Sequence, residues 1–299
     1  MILVDAHADT LFAQGVEHQQ DTLITPQRLK EGGVSLQVFA LWTGGKGNQG
    51  PVQSYLEAMM GQRAWWTERG VAQVDDPAMA KEGTPQFMLS IEGGEPLEKD
   101  LASVRFWREQ GVRMVALTWN HPNAIGFPAK GGSSQGLTAY GFQVVKEMQR
   151  LGMAADVSHL NEAGFYDLFK TDCPPMASHS CCRALCDHFR NLTDHQLRTM
   201  IQGGGYIGVN FYPDFLSADG QADADTIINH IDHICQLGGE KQVGFGSDYD
   251  GIDKTPSDLP HAGAFPRLLE RMRERGFTPT QISDIAGNNF LSYYERIAP

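Results

Sequence analysis

No apolar run in this 299-residue sequence is long enough to cross a bilayer, although apolar side chains make up 41% of it. Basic residues are scarce. Twenty-four Lys and Arg stand against 36 Asp and Glu, a formal charge of −12, so nothing would offset phosphate repulsion and a nucleic-acid partner is excluded. There is no basic block or basic amphipathic helix to draw the chain to a membrane surface. The five cysteines (Cys173, Cys181, Cys182, Cys186 and Cys235) include no C-x-x-C pair. With no targeting peptide ahead of the first strand, reduced thiols in a cytoplasmic protein are expected. The glycine-rich stretch from Gly44 to Gly50 lacks a G-K-[ST] ending, which predicts a mobile loop rather than a phosphate cradle. No linker, repeat or shift of composition divides the chain, so one domain over residues 1–299 is expected.

What the sequence does have is a regular alternation. Apolar strands are predicted at Ile2–Val4, Val34–Trp42, Phe87–Ile91, Val112–Thr118, Met153–Val157, Pro175–Ser178, Tyr206–Phe211 and Gln242–Gly246. A polar loop is expected after the first. Helical sequence separates the others, marked by Thr25-Pro26 with Gly32-Gly33, by residues 52–69, a short turn at Asp76-Pro77, residues 100–109, and Thr138 to Leu151. Further on come a capping box at Thr193 and Gln196, then residues 225–237, 262–275 and 279–296. Eight strands with helices between them predict an α/β fold, a parallel (β/α)8 TIM-type barrel.

In such barrels chemistry sits where the strands end. The opening residues, MILVDAHAD, place His7 and Asp9 two apart at the first strand end, on one side by alternation, with Asp5 below them. Other strand ends carry Glu92, His159, His179 and Asp248. Three imidazoles and two or three carboxylates exceed the roughly three protein ligands of one catalytic zinc. They suit two metals about 3.5–4 Å apart. Glu92 is the natural bridge, with His7 and Asp9 on one ion and His159 and His179 on the other, and this donor set favours Zn²⁺. Asp250 shares the strand-end face and competes with Asp248. Asp5 could instead hydrogen-bond within the barrel. Glu95 reads as a solvated loop residue, Trp65-Trp66 as core or interface filler, and the Cys181-Cys182-Cys186 cluster as helix packing. His188, His230, His233 and His261 fall outside the site.

The ordered set DAHAD, SIEGG, DVSH, ASHS, HFRN and GFGSDYDG, from residue 5 to about 251, with GNNF near residue 288, resembles the renal (membrane) dipeptidase family of binuclear zinc peptidases. The resemblance implies a (β/α)8 barrel with two Zn²⁺ per chain, His7 and Asp9 on one, His159 and His179 on the other, and Glu92 between them. It also implies Asp248 as the acid/base carboxylate, Arg190 on the C-terminal carboxylate of a dipeptide substrate, and the homodimer habitual in the family. By position alone Arg190 would be a surface arginine. Lacking secretory and anchor signals, the chain resembles the soluble bacterial branch. One departure stands out. Where animal members carry a histidine that contacts the reacting carbonyl, this chain reads Leu117-Thr118-Trp119-Asn120-His121, so either Asn120 or His121 reaches the substrate from a displaced position or the contact is missing. The expected activity is dipeptide hydrolysis by a zinc-activated bridging hydroxide. The rivals are a binuclear hydrolase acting on another amide or a lactone, such as an N-acyl amino acid, and a non-catalytic metal-binding protein. The last would have no reason to bring Asp248 and Arg190 to the same mouth.

Overall fold

Strands buried on both faces favour apolar or small side chains, and the strands of this chain carry them at most positions, with polar exceptions such as Asp5, His7, Gln37, Glu92, Arg113 and Asp156. The computed structural model describes residues 1–44 and 52–299; most of the glycine-rich stretch after Gly44 lies outside the described residues. Among these residues eight parallel strands close a barrel: β1 (Val4–Ala8), β2 (Leu36–Trp42), β3 (Gln86–Glu92), β4 (Val112–Ala116), β5 (Ala154–Asp156), β6 (Met176–Ala177), β7 (Tyr206–Val209) and β8 (Val243–Phe245). Each strand pairs with its neighbours in chain order, and Asp5 opposite Phe245 joins β1 to β8 to close the ring. A two-residue strand, Ala72–Gln73, pairs with the start of β3 outside the barrel proper. It is too short to be seen in the pattern of the sequence.

The expected helix signals hold. Thr25 accepts from the Arg28 amide ahead of Pro26, Thr138 from Gly141, and Thr193 and Thr278 each form a capping box with a glutamine. Two expectations need correction. The segment after β1 is a helix, Thr10–Gly15, rather than a polar loop. The last helix is interrupted by a π turn at Asp284–Asn288 before it resumes as Asn289–Ile297.

The barrel interior is apolar at one end. Val4, Ala6, Leu36, Val38, Met88, Met114, Ala154, Met176 and Tyr206 meet Phe290, Tyr293, Tyr294 and Ile297 of the last helix. The Tyr293 hydroxyl donates to the Pro174 carbonyl at 2.8 Å and that of Tyr294 to Arg113 at 3.3 Å. Both acceptors lie at or before strand starts, so this helix seals the N-terminal end. Outside the strands, Phe39, Phe87 and their neighbours pack on the helices. Trp66 is fully buried there, with its ring 4.7 Å from that of Phe39, so this half of the tryptophan pair is core. The polar mouth is left at the C-terminal ends of the strands.

If the last helix is the seal, Phe290→Ala should cost about 3–5 kcal/mol, the usual loss for a buried phenylalanine. A urea midpoint no lower than that of the parent would show that the helix does not close the barrel.

Candidate metal centre

Strict alternation would send His7 away from the barrel axis, because Val4 and Ala6 already face the interior. A register break between Asp5 and Ala8 in the pairing with β2 turns His7 back inwards. Asp5 therefore does not lie below His7. It accepts from the Ser247 amide at 2.7 Å, the Ser247 hydroxyl at 2.6 Å and Gln37 at 3.0 Å, fastening β1 to both neighbours. Asp9 follows immediately and starts helix Thr10–Gly15. The Asp9 amide donates to the Tyr249 carbonyl and the Asp248 amide to the His7 carbonyl, each at 3.0 Å. Residues from both ends of the chain are thereby held side by side.

Glu92, the last residue of β3, lies among the histidines. Its Oε1 is 2.8 Å from His159 Nε2 and 3.5 Å from His179 Nε2, while its Oε2 is 3.7 Å from His7 Nε2. His7 Nε2 is also 3.5 Å from Asp9 Oδ2 and 3.7 Å from Asp248 Oδ1. One carboxylate thus faces a pair of histidines with one oxygen and the His7 group with the other. His7, Glu92 and His179 can offer ligand atoms within 4.8 Å of one another, and so can His7, Asp9 and Asp248. His7 Nε2, His179 Nε2 and Asp9 Oδ1 are buried without a hydrogen-bond partner among the described residues. Orphaned polar atoms of this kind, all of them ligand types, fit a pair of divalent cations.

The electrostatics point the same way. Burial opposes charge on His7, but Glu92, Asp9 and Asp248 outweigh it and push its pKa up to about 10. Burial, with Asp9, raises Glu92 well above the usual carboxylate range, and raises Asp248 to about 6. Burial holds His159 and His179 neutral, the form that binds metal. The site has more negative charge than its own side chains balance, and a proton or a cation must make up the difference.

Outer hydrogen bonds orient the rings. Ser178 Oγ donates to Asp156 Oδ2 at 2.5 Å and lies 2.7 Å from His179 Nδ1. Asp156 Oδ1 also accepts from the Ser178 and Ser158 amides and the Ser158 hydroxyl. With its own proton committed to Asp156, Ser178 accepts from His179 Nδ1, which leaves the lone pair on Nε2 facing Glu92. Asn120 Oδ1 stands 3.3 Å from His159 Nδ1 and fixes that ring in the same sense. Asn210 donates to Asp248 Oδ2 at 2.9 Å. Asp156, Ser178 and Asn210 were not singled out from the sequence. Their signal was slight, since the first two are the residues that precede or adjoin a histidine in DVSH and ASHS.

Asp248 and Asp250 both have left-handed backbone, with φ of 62° and 65°, which non-glycine residues adopt rarely and at a cost. Their roles separate cleanly. Asp250 accepts from the Thr10 hydroxyl and the Leu23 amide, both at 2.6 Å, and ties down the first loop. Asp248 faces the His7 imidazole. Gly251 sits against both carboxylates, and a Cβ there would collide with Asp9 and Asp248.

Above this cluster is a cavity of about 360 Å³ lined by Trp119, Asn120 and Arg190 among others. Arg190 is no surface arginine: it is only 5% exposed, and its three guanidinium nitrogens have no partner among the described residues. Its Cζ lies 5.5 Å from the centre of the Phe215 ring. Of the two residues expected to substitute for the missing histidine, Asn120 lines the cavity and His121 does not; the ring of His121 lies 5.9 Å from that of Trp119. Glu95 is half-buried rather than a freely solvated loop residue. It accepts from the Thr43 hydroxyl at 2.8 Å, and burial raises its pKa. The three clustered cysteines are buried as expected, but in an irregular segment rather than a helix. The amide of Cys182 donates to His230 Nδ1 at 3.0 Å.

The sequence matches the membrane dipeptidase family (peptidase family M19) over residues 1–298. It is 36% identical over 222 residues, 71% of this chain and 82% of the relative, to an uncharacterised protein from the pqqA 5′ region of Klebsiella pneumoniae. An uncharacterised dipeptidase of Schizosaccharomyces pombe is 35% identical over 227 residues, 73% of this chain and 55% of that protein. Among solved structures, a metallopeptidase from Rhodobacter sphaeroides liganded with a phosphinate mimic of L-Ala-D-Ala superposes with a TM-score of 0.89 at 25% identity, covering 100% of this chain and 99% of that one. With the family matched from end to end on a closed barrel that gathers its ligand-type residues at one mouth, this chain belongs to the membrane dipeptidase family.

Proposed function

We propose that this chain is a zinc-dependent dipeptidase that hydrolyses free dipeptides. The observation that carries the reading is a buried guanidinium without a hydrogen-bond partner among the described residues, lining the same cavity as a carboxylate flanked by three imidazoles. His7 and Asp9 would hold one ion, His159 and His179 the other, with Glu92 shared between them. Bound there, two zinc ions would supply a nucleophile from water at neutral pH and polarise the scissile carbonyl. Asp248, held by Asn210 and within 3.7 Å of His7 Nε2, takes a proton and returns it to the leaving amine. Arg190 receives the substrate's C-terminal carboxylate in its planar fork and so measures substrate length. All five cysteines are free, in keeping with a reducing cytoplasm. Among the described residues no helix is long and apolar enough to cross a membrane.

Metal analysis should find about two zinc ions per chain, and Glu92→Ala should lose affinity at both positions together. Saturation at one ion in excess zinc would overturn the binuclear reading.

Asp248→Asn should keep its zinc while kcat falls by roughly 10²-fold or more, the usual worth of a positioned acid/base. Loss of zinc together with activity would make Asp248 a ligand instead.

Arg190→Ala should lower kcat/KM for free dipeptides by about 10–150-fold, as loss of a charge-assisted hydrogen bond does. Dipeptide amides, which have no carboxylate, should be poor substrates of the parent and lose little more in the variant. An equal drop for both classes would remove the length gauge. Faster turnover of N-acyl amino acids than of any dipeptide would move the assignment to an amidohydrolase.

A further inference from the structure

The cavity above Glu92 has two unlike walls. Arg190 and Phe215, which follow β6 and β7, stand on one side. Phe12, Trp42 and Trp119 also line it, at or after the ends of β1, β2 and β4. In a ring of eight strands β2 and β6 are four apart, so Trp42 faces the Arg190 side across the mouth. These three rings form one continuous surface. Phe12 and Trp42 have centroids 4.5 Å apart at 90°, and Trp42 and Trp119 have centroids 4.9 Å apart at 81°. The surface reaches the ligand cluster, for the Trp119 ring is 6.2 Å from that of His159.

Core packing accounts for this wall only in part, through Phe12, which also packs on the main core. Trp66 shows what a core tryptophan looks like here, fully buried, whereas Phe12, Trp42 and Trp119 are half-buried and open to the cavity. Apolar surface left uncovered inside a small concave site gains from a ligand that removes it from water. Trp119 also stands where a polar contact to the substrate was expected from the family resemblance, so this part of the site is shaped for apolar contact.

We propose that this chain selects dipeptides whose N-terminal residue carries a large apolar side chain, best an aromatic one, seated against Phe12, Trp42 and Trp119. The inference rests on Arg190 taking the C-terminal carboxylate. With that end fixed on the β6 side and the scissile bond over Glu92, the N-terminal side chain meets the aromatic wall. Acidic Glu17 and Asp253 are exposed at the rim. Water screens these exposed charges, and Asp253 is engaged by Tyr212 on the Phe215 side, so a cationic side chain would gain less than an aromatic one.

The test uses zinc-loaded protein, kcat/KM for Phe-Ala, Leu-Ala, Lys-Ala and Gly-Ala, and calorimetric affinity for phosphinate mimics of Phe-Ala and Gly-Ala. Phe-Ala should exceed Gly-Ala by about 10–200-fold, the range one apolar subsite supplies, and the two mimics should differ in the same order. Trp119→Ala should bring the ratio within about threefold, while Trp119→Phe, which keeps an aromatic face, should preserve most of it. Equal rates for Phe-Ala and Gly-Ala, a preference for Lys-Ala, or a ratio that survives both Trp119→Ala and Trp42→Ala would overturn the inference and leave dipeptide hydrolysis standing. If no dipeptide is cleaved, the hydrolytic reading falls, and the mimics alone decide: tighter binding of the Phe-Ala mimic upholds the wall, equal binding removes it.

Discussion

The constraint on which this mouth depends is the burial of the Glu92 carboxylate. It is buried at the end of a strand, with Asp9 and Asp248 close by and three imidazoles around it. Removing such a charge from water costs several kcal/mol unless it is matched by another. Among the described residues Arg190 is the one fixed cation lining the cavity, and its guanidinium nitrogens have no hydrogen-bond partner there. Protonation of His7 is the remedy available to the bare side chains, and a bound cation is the other. Much of the surrounding polar structure follows from that constraint. Asp156 and Ser178 set the tautomer of His179, Asn120 that of His159, and Asn210 steadies Asp248.

The barrel keeps this charged end apart from the source of its stability. At the base, methionines and aromatic rings pack around the last helix with their hydroxyls bonded to backbone carbonyls. At the mouth, residues with strained backbone and buried charge are held by short tethers such as those from Asp250 to Thr10 and Leu23. Sites of this kind cost stability, and the cost is met by apolar burial elsewhere in the same molecule.

The architecture and the set of residues at the mouth were largely legible in the sequence, because apolar runs with helical spacers dictate a parallel barrel and strand ends dictate the mouth. What escaped was whatever depends on a single backbone irregularity. Alternation alone aligned Asp5 with His7, whereas the register break in β1 separates them. The choice between Asp248 and Asp250 needed hydrogen bonds from residues 10 and 23, far away in sequence. Glu95 looked like a loop residue because its partner, Thr43, lies on another strand's exit. Arg190 gave no sign of burial, since the ring beneath it, Phe215, is 25 positions further on.

The pairing of β1 with β8, and of His7 with Asp248, also bears on how the protein is made. Nearly 250 residues must leave the ribosome before the first ligand meets the last carboxylate, and more before Phe290 and Tyr293 close the base. Contacts so distant in sequence form late. A nascent chain therefore carries its histidines apart from one another for most of synthesis. The cluster of His7, Glu92, His179 and Asp248 at the mouth is complete only in the finished barrel.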